Sequence, residues 1–130
     1  VAEGLEKGHY PTPAPLDAYG NGGFRFADMS HRGSILCLPS GIWAWPVVKA
    51  DEFTPSSFAK AAAEAKLIEV FLIGTGDDHV PLPLDIRDFL KRAGLHFDVM
   101  PTGAAARTYN VLMSDERKVA AALIAVDKAR

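Results

Sequence analysis

Apolar positions along this chain follow two rhythms, and the change between them divides it in half. In the first half Phe24 and Phe26 flank Arg25, the period-two alternation of a half-buried strand. Ser34-Ile35-Leu36-Cys37-Leu38 is a compact apolar run between Gly33 and Pro39, and Pro39-Ser40-Gly41 reads as a turn. Ile42-Trp43-Ala44-Trp45 predicts a further strand, stopped by Pro46. Trp43 and Trp45 are two residues apart and so share one side of a sheet. The connections are too short for crossovers, so this block is expected to be antiparallel.

In the second half, runs with a helical period alternate with strands. Thr54-Pro55 is a helix start, and Phe58, Ala61, Ala62 and Ala65 fall on one helical face. Leu67 to Ile73 is almost continuously apolar, as in a central strand covered on both faces. After Gly74-Thr75-Gly76, Pro83 opens a helix in which Ile86, Phe89, Leu90 and Ala93 repeat the same face. Asp85 and Asp88 sit early in it, Lys91 and Arg92 late, and Gly94 closes it, in keeping with the helix dipole. Leu95 to Met100 is the next strand, and strand, helix, strand at this spacing predicts a parallel pair. Thr102 is expected to cap a helix reaching about Met113, and Ser114 a second helix carrying Val119, Leu123 and Val126 on one face.

The stretch before these elements, residues 1–22, carries Pro11, Pro13 and Pro15, with glycines at 20, 22 and 23 at its end. With few large apolar side chains to offset its ordering entropy, it is expected to be a flexible N-terminal arm. Residues 23–130 then form a single α/β domain with a mixed sheet, an antiparallel block joined to a parallel pair and helices packed on it.

Composition narrows the function classes. A length of 130 residues fits one domain, and 48% hydrophobic residues exclude a wholly disordered chain. Fourteen Lys and Arg against sixteen Asp and Glu leave no basic excess, so no nucleic-acid partner is expected. The single cysteine, Cys37, cannot form an internal disulfide, which points to a reducing, cytoplasmic location. The first ten residues hold no apolar run of the kind a secretory leader needs. Val119 to Val126 is half alanine and far short of the ~18 residues of a membrane span.

If the two parallel strands are neighbours, the loops Gly74 to Asp78 and Pro101 to Ala104 share one sheet edge, where open α/β sheets bind ligands. Thr102 opens a helix whose N–H groups can receive an anion, and Arg107, one turn on, adds a fixed positive charge. Thr75, Gly76, Thr102, Arg107 and Asn110 are therefore candidate ligand-binding residues. The same glycines are equally explained by the backbone geometry of strand-to-helix turns. Gly74-Thr75-Gly76 lacks the later glycine of a nucleotide fingerprint and no phosphate loop is present, so no cofactor is expected. Asp77-Asp78-His79 cannot easily converge on one ion and reads as a solvated turn, so no metal is expected. Cys37, inside an apolar run, reads as packing, and no catalytic constellation stands out, so catalysis is not the expected reading. Trp43 and Trp45 are candidate partner-binding residues if exposed, and core residues if not.

The order of motifs nevertheless carries a resemblance. Gly23 to Phe26, Gly33-Ser34-Ile35-Leu36, Phe71 to Gly76 and Ala93-Gly94-Leu95 come first. They are followed by Thr102-Gly103-Ala104-Ala105-Ala106-Arg107-Thr108-Tyr109-Asn110-Val111-Leu112 and Arg117-Lys118-Val119-Ala120-Ala121-Ala122-Leu123-Ile124. Together they resemble a family of uncharacterised single-domain proteins related to the mitochondrial NADH:ubiquinone oxidoreductase (complex I) assembly factor 3 and an adipogenesis-associated vertebrate protein. The resemblance covers about residues 20–126. It implies a three-layer domain with a central mixed sheet, no established catalytic residues and no known cofactor. Pro101 replaces a usual Asp, Ala106 a frequent Cys, and Asp115 and Glu116 stand where Glu-Gly is common, which weakens acid–base or thiol chemistry at that edge.

The expected function is thus a non-enzymatic protein-binding domain, an assembly factor for a respiratory complex, whose partners are respiratory-complex subunits or other assembly factors. The alternative is a small-ligand or anion-binding protein or an enzyme using the edge at Gly74–Gly76 and Thr102–Asn110. A third reading is a domain that oligomerises through Trp43 and Trp45.

Overall fold

The computed structural model describes residues 8–129. Its centre is a six-stranded sheet built from β1 (His9–Tyr10), β5 (Ser34–Leu38), β6 (Gly41–Trp45), β7 (Val70–Gly74), β8 (Phe97–Met100) and β9 (Val119–Leu123). The order across it is β1-β6-β5-β9-β7-β8. The β5–β6 pair is antiparallel, as its short turn requires, and β7 and β8 are parallel, joined through α2 (Leu84–Arg92). A second, three-stranded antiparallel sheet holds β2 (Ala18–Gly20), β3 (Gly23–Phe26) and β4 (Met29–Arg32).

Side-chain alternation along the central strands divides the core in two. Leu36, Leu38, Phe71, Ile73, Ala120 and Ala122 face one side, with Phe58 and Ala61 beside α1 (Ala59–Ala63) and Ile86 and Leu90 from α2. Ile35, Cys37, Leu72, Ala121 and Leu123 face the other, with Ala105, Ala106 and Tyr109 of α3 (Thr102–Ser114) and Phe24 and Phe26 of the small sheet. The result is a three-layer α/β domain whose mixed central sheet is flanked on both faces. Trp43 and Trp45 do share a side, that of α1 and α2.

The largest difference from the sequence reading lies at residues 119–123, expected in a helix and found as β9, every residue buried. Alanine's helix preference amounts to well under 1 kcal/mol per residue against most alternatives. Burial on both faces and a ladder on each side outweigh it. β9 pairs antiparallel with β5 and parallel with β7, and it is the strand that joins the two blocks. Glu116, at φ 61, sits just beyond the end of α3 and turns the chain into the strand.

The N-terminal expectation also differs. Residues 1–7 of the expected arm lie outside the described residues, but from Gly8 onward the chain is docked. β1 pairs with β6, and Ala14 and Leu16 are buried. Asn21 and Gly22, at φ 52 and 77, form the tip of a hairpin between β2 and β3. Asn-Gly is the favoured pair for a two-residue turn whose central residues both need positive φ, so these residues punctuate a hairpin. Ala27 and Asp28, at φ 50 and 62, make the same kind of turn between β3 and β4, with none of the usual residue signals. The first helix starts later than expected, a 3₁₀ turn over Pro55–Phe58 leading into α1, and the strand expected from Leu67 begins at Val70.

Small side chains on β9 let α3 lie close to the sheet. Ala121 is fully buried and pairs with Cys37 on one side and Leu72 on the other. Ala121→Leu is expected to overpack this layer and destabilise the protein by about 1–3 kcal/mol in urea unfolding, with Ala125→Ser, partly exposed, near neutral.

Candidate functional site

The carboxyl ends of β7, β8 and β9 meet at one edge, and three of the five expected ligand-binding residues stand there. Thr102 is fully buried. Its Oγ1 accepts the Gly76 N–H at 3.0 Å and donates to the Ile124 carbonyl at 2.7 Å. Its own N–H donates to the Gly76 carbonyl at 2.8 Å. One side chain thus ties the loop after β7 to the chain leaving β9. Pro101, not Thr102, occupies the N-cap position of α3, which leaves the Thr102 hydroxyl for this task. Gly74 is required beneath it, because a Cβ there would stand 2.9 Å from Thr102 Cα.

Thr75 is equally committed. Its N–H donates to the Met100 carbonyl at 3.0 Å, and its hydroxyl donates to the Asp78 carbonyl at 2.6 Å while accepting the Val80 N–H at 3.1 Å. Gly76, at φ +104, completes the turn. These hydroxyls close loops and are not turned toward a ligand.

Arg107 and Asn110 do not converge with them. At 1.5 Å of rise per residue they stand roughly 8 and 12 Å along α3 from Thr102. Asn110 holds the N-terminal segment, accepting the Leu16 N–H at 2.8 Å and donating to the Leu16 carbonyl at 2.7 Å. This two-bond clasp imitates a backbone ladder across α3. Arg107 donates to the Tyr19 hydroxyl at 3.0 Å. The five residues therefore do two separate things: edge closure and docking of the N-terminal segment.

What the edge does offer is a recess of about 390 Å³ beside the Thr75–Gly76 turn. Val48, Val80, Ile124 and Val126 supply its apolar lining, and Lys49, Asp51, Asp77 and Asp78 its charges. Val48 is 66% and Val80 37% exposed, so two branched apolar side chains stand in water at its walls. Sequence reasoning missed residues 48–51 because they follow Pro46 and belong to no periodic element. The only signal was an apolar pair, Val47-Val48, of which Val47 is buried and Val48 is not.

The tryptophans separate. Trp45 is core, its indole donating to the Ser57 carbonyl at 2.8 Å and its ring near Phe53 and Phe58, so it is withdrawn from any partner. Trp43 is partly exposed, stacked on His9 with ring centroids 3.6 Å apart and with the Lys60 ammonium 4.2 Å from its ring centre. Its indole donates to Ser40 Oγ, which donates to Glu64.

Cys37 is buried, and burial pushes its thiol far above the ordinary range, a hydrogen bond with Tyr109 opposing this only in part. Burial likewise pushes the Tyr109 phenol up, with Cys37 adding to the shift. Burial lowers the His31 pKa, partly offset by a hydrogen bond to the Ser34 backbone. Asp77, Asp78 and His79 are exposed, and no group of three metal-ligating side chains converges among the described residues.

Residues 16–124 match the family model for proteins of unknown function DUF498/DUF598. An uncharacterized protein of Rhodobacter capsulatus is 36% identical over 110 residues, covering 85% of this chain and 83% of its own length. The human NADH dehydrogenase [ubiquinone] 1 alpha subcomplex assembly factor 3 is 28% identical over 109 residues, 84% of this chain. This chain spans 59% of that human relative's length and 65% of its mouse counterpart's. Among solved structures, a Bartonella henselae protein described as an outer membrane protein superimposes with a TM-score of 0.87 at 50% identity, covering 92% of this chain and all of its own. A Rhodopseudomonas palustris protein gives 0.79 at 43% identity, covering 94% of this chain and 90% of its own. A Mth938-like domain of Bordetella pertussis gives 0.74 at 27%, covering 89% and 88%.

Two outcomes follow from this geometry. Thr102→Ala leaves buried backbone groups without partners and is expected to cost about 1–3 kcal/mol in thermal or urea unfolding, whereas Thr102→Ser retains most of the stability. Cys37, a buried thiol held in its neutral form, is expected to react with an alkylating reagent at pH 8 more than about tenfold slower than the denatured chain, read by mass spectrometry.

Proposed function

The chain belongs to the DUF498/DUF598 family of proteins of unknown function, and from that premise we propose that it is a non-enzymatic protein-binding domain that serves the assembly of a respiratory complex. The observation that carries this reading is the similarity to assembly factor 3, which extends over 84% of this chain in the human protein. The family model spans residues 16–124, a range that holds β2 to β9 and the helices on both faces of the central sheet.

The geometry of the strand edge supports a binding role. The Thr75 and Thr102 hydroxyls are engaged in closing the edge, and the thiol of Cys37 lies inside the core. The recess beside them is lined by both apolar and charged side chains. Three carboxylates, Asp51, Asp77 and Asp78, outnumber Lys49 around it. A partner segment suited to it inserts an aliphatic side chain and carries Lys or Arg on either side. A cytoplasmic location is part of the same reading, supported by the lone cysteine. No helix among the described residues is long and apolar enough to cross a membrane.

Affinity purification at native expression is expected to recover respiratory-complex subunits or other assembly factors. Val48→Asp and Val80→Asp, at exposed positions, should each reduce that recovery about tenfold without changing the thermal midpoint. Recovery of no stable partner by the unmodified protein would overturn the assembly reading.

A further inference from the structure

A second concavity, larger than the edge recess and sharing none of its lining residues, is on the small sheet, with a volume of about 700 Å³. That is within the range of small-molecule sites. Asn21, Arg25, Ser30 and Arg32 are among its lining, and no carboxylate of the described residues is. In a chain with a net charge of -2 this segregation of cationic groups is a local property of the hairpin, not of the composition.

From this we propose that the small sheet binds a small molecule bearing a phosphate group, held between Arg25 and Arg32. The register puts the two arginines on one face: Arg25 is opposite Ser30, and Arg32 is opposite Gly23. They are therefore diagonal neighbours across the β3–β4 hairpin, roughly 7–8 Å apart at the backbone, a span that two guanidinium groups can close around one anion. Gly23, opposite Arg32, lets the two strands of the hairpin approach closely. A Cβ there would fall 2.0 Å from the His31 carbonyl oxygen, so the hairpin backbone itself demands glycine at this point.

The arginines are held and available. Arg25 donates through Nη1 to the Ser30 hydroxyl at 3.1 Å, which steadies one arm of its fork and leaves the other N–H groups to a ligand. Neither Arg25 nor Arg32 forms an ion pair among the described residues, where the pair Arg117–Glu69 is on another part of the surface. Asp127 is a competing charge. Its Oδ1 and the Arg32 Nη1 each stand 3.9 Å from the point a Cβ on Gly22 would occupy. The wall is anchored too, because the Asn21 and Gly22 N–H groups donate to the carbonyls of Asp127 and Val126 at 2.7 and 2.9 Å. Two guanidinium groups favour a doubly charged phosphate over a single carboxylate, and the Asn21 amide offers a further donor at the rim.

The test is independent of the assembly role and of the recess at the strand edge. Inorganic pyrophosphate is titrated at constant ionic strength and followed by two-dimensional amide NMR, with citrate as the carboxylate arm. Saturable shifts are expected at the amides of residues 19–25 and 30–32. Arg25→Gln and Arg32→Gln should each weaken binding about tenfold, with the rest of the spectrum unchanged. Lys91→Gln, which removes the same charge from the opposite layer, should leave the affinity as it was. Three results would overturn the proposal: no saturable shift with pyrophosphate at millimolar concentration, equal weakening by Lys91→Gln, or binding of citrate as tight as that of pyrophosphate.

Discussion

The structure depends on one strand being thin. β9 runs through the middle of the sheet with β5 on one side and β7 on the other, and all five of its residues are buried. Among the described residues it is the only strand paired with both the antiparallel and the parallel part of the sheet. Ala120, Ala121 and Ala122 put no bulk above or below it, so Phe58 and Phe71 can fill one side while α3 closes the other. Larger residues would hold the layers apart, and polar ones would be left without partners.

How much of this was readable from residues depended on whether the signal was local. The β5 and β6 strands, the β7–α2–β8 unit and the amphipathic face of α2 are all written in periodicity and in turn residues, and they are found in that order, with β7 starting at Val70 where Leu67 is expected and β8 at Phe97 where Leu95 is expected. β9 was not legible because alanine is neutral between the two periods: a run of Val-Ala-Ala-Ala-Leu satisfies a helical face and a doubly covered strand equally well. What decides it is the need for a strand between β5 and β7, a fact about topology that no window of residues contains. The N-terminal segment is hard to read for the opposite reason. Its local signal, Asn21-Gly22, stands beside three prolines in a stretch poor in large apolar side chains, and its packing rests on Asn110, 94 residues away from Leu16.

The candidate site follows the same division. Thr75, Gly76 and Thr102 were found because a strand-to-helix junction concentrates such residues, but sequence cannot say which way a hydroxyl turns. Here both threonines spend theirs on backbone groups of the loop itself. The recess at the edge draws on a segment with no period, Val48 to Asp51 after β6, whereas the concavity on the small sheet is lined mainly by strand residues of β2, β3 and β4. Regular elements here serve stability through one face and present polar side chains to solvent from the other, while the connections add groups with no ladder or core to satisfy.

The place of β9 has a consequence in time. A ribosome releases the β5–β6 hairpin and the β7–α2–β8 unit well before residues 119–123 emerge. Until then β5 and β7 each present an open strand edge, apolar on both faces, with nothing yet made to separate them. The nascent chain therefore passes through an interval in which its two half-sheets are sticky, and the same strand that completes the fold is the one that ends its exposure to chaperones and to its own copies.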